Sequence, residues 1–166
     1  MSDPDHLPDF DTLAFRRALG MFATGITVVT ALNAAGKPIG LTVNSFNSVS
    51  LAPPLVVWSL ARHLPLLAAF EQCERYAINV LASHQMPLSR RFASRADDKF
   101  DDLDVNTGIG GVPLLPGCLA WFECRNAIRH DGGDHLIFLG QVERFAQGDG
   151  EPLIYHGGRY RYLSVE

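Results

Sequence analysis

Apolar and polar positions change their period several times along this chain, and each change marks an element. Asp11 or Thr12 can cap a helix in which Phe15, Leu19, Phe22 and Ala23 share one face. Thr24 and Gly25 end it. Ile26–Leu32 is β-branched and rich in threonine, which predicts a strand. A hairpin turn over residues 33–36 leads into a return strand that begins at Ile39–Val43. The continuous apolar run Leu55–Leu60 predicts a buried strand, followed by a short helix over Leu64–Cys73. Tyr76–Leu81 reads as a strand, Gln85–Phe92 as a helix, and Arg95–Gly111 as a charged, glycine-rich surface segment. Leu119–His130 and His135–Phe145 form two long antiparallel strands about a turn at residues 131–134, and Leu153–Tyr155 and Tyr160–Leu163 close the chain. Many strands separated by turns, with few short helices, predict a mainly β antiparallel barrel rather than a doubly wound sheet. No repeat, low-complexity tract or linker divides the chain, so residues 11–166 read as a single domain behind a flexible arm of residues 1–10.

One stretch departs from this pattern. Thr42, Asn44, Ser45, Asn47, Ser48 and Ser50 crowd small hydrogen-bonding groups around Phe46, directly before Pro53, Pro54 and the apolar run. Side chains alternate across a strand, so the polar groups can face one side while Phe46 and Val49 point elsewhere. Small side chains also leave backbone N–H groups accessible to a flat polar ligand with carbonyl and ring-nitrogen acceptors. An edge strand or a turn rich in asparagine and serine fits the same residues, and the stretch alone does not choose between these readings.

Composition narrows the classes. A chain of 166 residues can bury a core without disulfides or metal, and 47% hydrophobic with 19% charged residues describes an ordinary globular protein, slightly apolar for its size. The net charge of −4 argues against a nucleic-acid binder that relies on broad basic attraction. Cys73, Cys118 and Cys124 are odd in number and contain no C-x-x-C, which fits reduced thiols in a cytoplasmic protein. The acidic, proline-broken start lacks the pattern of a signal peptide, and no apolar run is long enough to span a bilayer. A soluble cytoplasmic domain is expected, with neither nucleic acid nor membrane as partner.

Several chemistries lose their main signals. The chain has no G-x-G-x-x-G, no G-x-x-x-x-G-K-[ST], no G-x-S-x-G and no H-E-x-x-H. His130 and His135 bracket a turn with two aspartates, but zinc needs three or four converging ligands, and no metal site is expected. Without a nucleophile paired to a base, the sequence favours a bound cofactor that brings the chemistry while the protein supplies position and electrostatics.

Separated segments then converge. Residues 24–30 (Thr-Gly-Ile-Thr-Val-Val-Thr), Thr42–Phe46 with Ser48, Ser50, Pro53 and Pro54, Tyr76–Leu81, Phe92 with Ala93, Asp98–Phe100, and Gly133–His135 occur in the order found in flavin reductase-like domains. From about Phe15 to Leu163 the chain resembles the short flavin reductases that serve as the small component of two-component flavin monooxygenases. That resemblance implies an FMN-binding split barrel, a Greek-key antiparallel barrel that forms a homodimer with flavin near the interface. By the same resemblance, Thr42, Val43, Asn44 and Ser45 would contact the flavin ring and ribityl chain, with Ser48 and Ser50 in support. Ser59, Leu60 and Arg62 would continue the site, Phe92 and Lys99 would approach from the helical segment, and Lys99 or Arg91 would lie near phosphate. A cation there is apt, because charge-assisted hydrogen bonds are the strong ones. Where many relatives carry a serine- or threonine-rich turn after the arginine, this chain has His63, Leu64 and Pro65.

Gly133, Asp134 and His135 form the unit that the resemblance associates with the nicotinamide cofactor. Glycine lets a flat ring approach the backbone, and imidazole can hydrogen-bond a carboxamide; a plain hairpin turn is the competing reading. Trp58 and Trp121 read as core or interface packing, and Asp97, Asp98, Asp101, Asp102 and Asp104 as a solvated surface. Tyr155, Arg159 and Tyr160 fit the mouth of a pocket and the packing of closing strands equally well.

The expected activity is hydride transfer from NADH or NADPH to FMN or FAD, with reduced flavin delivered to a partner oxygenase. No protein acid or base is required; stacking the two rings at reactive distance carries the rate. A flavin-binding or electron-transfer protein with tightly held flavin and little turnover is the alternative, since fold does not fix function. An oxidase of the pyridoxamine phosphate type would share the barrel but not the ordered motifs.

Overall fold

The computed structural model describes residues 11–164; the arm read at residues 1–10 lies outside them. The Asp11 carboxylate caps helix α1 (Thr12–Leu19), accepting from the Leu13 and Ala14 N–H groups at 3.0 Å each. The helix closes at Gly20, earlier than the apolar spacing predicts, because glycine is a poor helix former and takes the C-cap here. Met21 and Phe22 therefore leave the helix as exposed residues.

The strands are β1 (Thr24–Gly25), β2 (Thr27–Leu32), β3 (Pro38–Val43), β4 (Asn47–Leu51), β5 (Pro54–Ala61) and β6 (Arg75–Val80), with α2 (Leu67–Gln72) between the last two. After α3 (Met86–Ala93) come β7 (Asn106–Thr107), β8 (Pro113–Leu114), β9 (Ala120–Gly132), β10 (His135–Gln147), β11 (Ile154–His156) and β12 (Arg159–Arg161). Seven strands form one sheet in the order β3-β2-β6-β9-β10-β5-β4, all neighbours antiparallel. A smaller ribbon runs β1-β11-β12, and β7 pairs with β8.

The connection after β3 dictates the shape. β3 and β4 follow each other in sequence yet occupy opposite edges of the seven-stranded sheet. Laid flat, six gaps of about 4.8 Å would hold those edges about 29 Å apart. The linker Asn44, Ser45 and Phe46 allows four Cα steps, about 14 Å at most. The sheet must curl until its edges nearly meet, and β3 does approach β5. A mainly β antiparallel barrel, as the strand pattern predicts, follows from this strand order and the shortness of the linker.

The barrel interior holds Val29, Leu41, Val43, Trp58, Leu60, Tyr76, Ile78 and Phe138 among others. Trp58 is fully buried, stacked on Phe138 at 4.4 Å and 13° and edge-on to Phe70 and Tyr76, so it is a core residue. A second core outside the barrel wall gathers Val28, Leu81, Phe92, Leu115 and Leu153, with Tyr155 and Tyr160 packed against it. Those two tyrosines therefore serve closing-strand packing. β2 separates the two cores and is buried on both faces, which explains why its sequence lacks alternation. Its buried polar groups are paired: the Thr30 hydroxyl donates to the Pro113 carbonyl at 2.6 Å, and Asn79 Nδ2 donates to the Val28 carbonyl at 2.9 Å.

Two other segments differ from expectation. Leu64–Leu66 is a turn rather than the first turn of α2, since Pro65 has no N–H to give a helix. The polar stretch divides into the linker 44–46 and the edge strand β4. Among the described residues, no helix is long and apolar enough to cross a membrane, and no three His, Cys, Asp or Glu residues gather to hold a metal.

Candidate active site

A groove of about 650 Å³ opens between the start of β3, the turn after β5 and the segment following α3. Its size falls within the roughly 300–1,000 Å³ of small-molecule sites. Thr42, His63, Phe92, Lys99 and Phe100 line it, with Arg95 and Asp97 also contributing. The Thr42 hydroxyl donates to the Ser89 carbonyl at 2.6 Å, tying β3 to α3. Ser89 in turn shares a 2.9 Å hydrogen bond with the Tyr160 hydroxyl, which braces α3 from the other side.

The groove floor depends on a glycine that the sequence pattern does not single out. Phe92 is fully buried and meets Phe100 edge-on at 5.0 Å. A Cβ at Gly40 would stand 2.8 Å from the Phe92 ring and 3.2 Å from the Val29 carbonyl oxygen. Glycine inside a strand pattern signals such a close approach. Above this floor, Lys99 Nζ donates to the Gly40 carbonyl at 3.3 Å and the Phe92 carbonyl at 3.2 Å. Desolvation lowers the Lys99 pKa, against a smaller opposing pull from Asp97. Lysine has three N–H donors, so one remains to meet an anionic ligand.

The remaining candidates from the sequence fall into three groups. Val43 and Leu60 turn their side chains into the barrel core, which leaves only their backbone for any ligand. Asn44 and Ser48 are exposed along the barrel edge and Ser50 is half-buried there, whereas Ser45 and Ser59 bond to each other across it. Arg91 lies away from the groove, where its guanidinium donates to the Asp98 and Asp101 carbonyls and holds the aspartate-rich loop. All five aspartates of that segment are exposed.

Arg62 joins the second cluster. β5 pairs with β10 so that Ala61 stands opposite His135, and Arg62 continues past the last pair beside the β9–β10 turn. Gly133 in that turn has φ +72°, the left-handed region that glycine occupies without strain. His135 Nδ1 and the Asp134 carboxylate are 2.7 Å apart, and this hydrogen bond holds the Asp134 pKa below its ordinary value. Gly133, Asp134 and His135 thus sit one residue from the groove-lining His63, through Arg62.

The family model described as flavin reductase like domain matches residues 19–164. This chain belongs to the flavin reductase like domain family. Among its relatives, FMN reductase (NADH) SmoA of Agrobacterium fabrum is 53% identical over 151 residues, covering 91% of this chain and 86% of that protein. The reductase component of the flavin-dependent trigonelline monooxygenase of Acinetobacter baylyi is 41% identical over 145 residues, covering 87% of this chain. Only 47% of that protein is covered, so the chain spans about half its length. The NADH:FAD oxidoreductase SgcE6 of Streptomyces globisporus C-1027, solved with NAD and FAD fragments, matches with a TM-score of 0.88 at 36% identity, covering 99% of this chain and 96% of that one. The flavin reductase like family implied by the ordered motifs is therefore the right one.

Proposed function

We propose that this chain is an NAD(P)H-dependent flavin reductase acting on FMN or FAD and serving a partner oxygenase. The observation that carries the reading is a groove with a half-buried lysine whose lining residue His63 directly follows Arg62, and Arg62 hydrogen-bonds the turn that precedes His135. The relatives support it, one named an FMN reductase (NADH) and another a monooxygenase reductase component.

The residues present suit a flavin. The groove walls at Ile39, Leu41, Leu64 and Leu66 are apolar, matching a flat ring system, and Lys99 supplies a positive charge for phosphate. Flavin bound there would bring the hydride acceptor and reduced nicotinamide the donor. Thr42, with the backbone of Val43 and Asn44, would orient the ring, and His135 would seat the nicotinamide. With no protein acid or base in the transfer itself, positioning carries the rate. One relative is named for NADH and FMN, and titration with each donor and each flavin would decide the choice in this chain.

We also propose a homodimer. Helix α1 buries none of its residues, and an isolated helix of eight residues is marginal in water. Leu13, Leu19, Met21 and Phe22 at this end, with Val49 and Leu51 on β4, leave apolar surface for a second copy to cover. The three free cysteines suit a cytoplasmic location. The test is steady-state NADH and NADPH oxidation with added FMN or FAD, alongside sedimentation. Saturable oxidation that requires free flavin is expected; a bound flavin reduced without turnover would favour the electron-transfer alternative, and a stable monomer would refute the dimer.

A further inference from the structure

We propose that Arg62 is a positioning residue for the nicotinamide side of the site, a clamp that fixes the turn bearing His135 rather than a ligand of the flavin. The inference rests on the functional reading above. One residue grips the β9–β10 turn at three points. The Arg62 backbone N–H donates to the Asp134 carbonyl at 2.9 Å, extending the β5–β10 ladder by one bond. Its Nε donates to the Gly133 carbonyl at 3.0 Å, and its Nη2 pairs with the Asp131 carboxylate.

The turn needs such a hold. Gly133 has no side chain and its position is open, with no neighbouring atom where a Cβ would lie. Asp131 and Asp134 are almost fully exposed, so no packing orients them. Exposed turns with few buried contacts are the segments that open locally at little cost. An exposed ion pair alone contributes little, but here the charge is joined to a fork of donors aimed at a carbonyl on the same turn. Asp134, held through its carbonyl, directs its carboxylate to His135 Nδ1 at 2.7 Å and so orients the imidazole. The same Arg62 precedes His63, a wall of the groove. The clamp thus sets the imidazole relative to the groove through one short stretch of backbone.

Three variants test this: Arg62→Ala, Arg62→Lys and Asp131→Asn, each with the Michaelis constant for NADH, the dissociation constant for flavin, and hydrogen exchange of the 131–136 segment. For Arg62→Ala the NADH Michaelis constant should rise about three- to tenfold, as expected for lost hydrogen bonds, and by more than any fall in kcat. Flavin affinity should stay within about twofold, and the turn should exchange faster. Arg62→Lys, which keeps the charge but loses the fork, should fall between wild type and Arg62→Ala. Adding Asp131→Asn to Arg62→Ala should cause no further change, because both act through one pair. Weakened flavin binding with an unchanged NADH Michaelis constant would overturn the proposal, as would additive effects of the two substitutions. If the wild type oxidises no NADH, the functional reading fails instead, and unchanged exchange of the turn in Arg62→Ala would still refute the clamp.

Discussion

Ser45 and Ser59 exchange two hydrogen bonds: the Ser59 N–H donates to Ser45 Oγ at 3.0 Å, and Ser45 Oγ donates back to the Ser59 carbonyl at 3.2 Å. A single side chain thereby stands in for a strand at the place where the curled sheet brings its edges together. Ser45→Ala should cost about 1–2 kcal/mol by stranding both backbone groups of Ser59. For a domain of this size that corresponds to a fall in Tm of about 2–8 °C, measurable by calorimetry. An unchanged Tm would show that water replaces the hydroxyl without loss. Asn44→Ala, which removes an exposed side chain, should leave Tm alone and weaken flavin binding if Asn44 meets the ligand.

Gly40→Ala tests the groove floor. The new methyl would meet the Phe92 ring and the Val29 carbonyl below normal contact distance. Overpacking of this kind costs about 1–3 kcal/mol, so the variant should unfold at lower denaturant with an unchanged slope. Displacement of Phe92 should also weaken flavin binding. A variant as stable as wild type would mean that the floor yields more freely than its packing indicates.

Lys99→Gln separates charge from shape. If Lys99 meets phosphate, FMN binding should weaken by roughly 1.5–3 kcal/mol, the usual range for hydrogen bonds to charged groups, while riboflavin, lacking phosphate, should bind as before. Equal losses for both ligands would place Lys99 at the ring or ribityl chain.

His135→Ala should raise the nicotinamide Michaelis constant about 3- to 15-fold, the loss of one neutral hydrogen bond, with flavin affinity nearly intact. Weakened flavin binding with unaltered nicotinamide kinetics would move His135 into the flavin site.

The cysteines give a pH prediction. Burial raises the Cys73 thiol to about 11, against smaller lowering effects from Asn126 and Arg129, and raises Cys118 and Cys124 to about 12. A raised thiol pKa keeps the neutral form at pH 8, where only about one Cys73 in a thousand is thiolate, and thiolate is the reactive species. Native protein should resist a thiol reagent at pH 8, and denatured protein should react at all three positions. Rapid native labelling would contradict the burial.

The sequence made the barrel legible because strand period and turn residues are local signals: Leu55–Leu60 and the hairpin at residues 131–134 lie where the pattern predicts. The groove was legible through Thr42, His63, Phe92, Lys99 and Phe100, which are spread over separate elements. Gly40 stayed hidden because its constraint comes from Phe92, more than fifty residues away, and a lone glycine carries no record of its neighbour. Arg62 and Arg91 were visible as cations but not by destination, since a guanidinium finds its acceptor in the folded chain. Ser45 looked like a ligand donor for the same reason that it makes a good seam: a short hydroxyl donates and accepts with little reach.

β2 has no solvent side. Val29 and Ala31 face the barrel while Val28 faces the core beneath α3, so this strand is a party wall whose two rooms stand or fall together. Neither the barrel nor the groove floor can melt alone, because each borrows the other's half of one strand. Heat or denaturant should take both in a single step, and substitutions that loosen the ligand side will be felt as lost stability throughout the molecule.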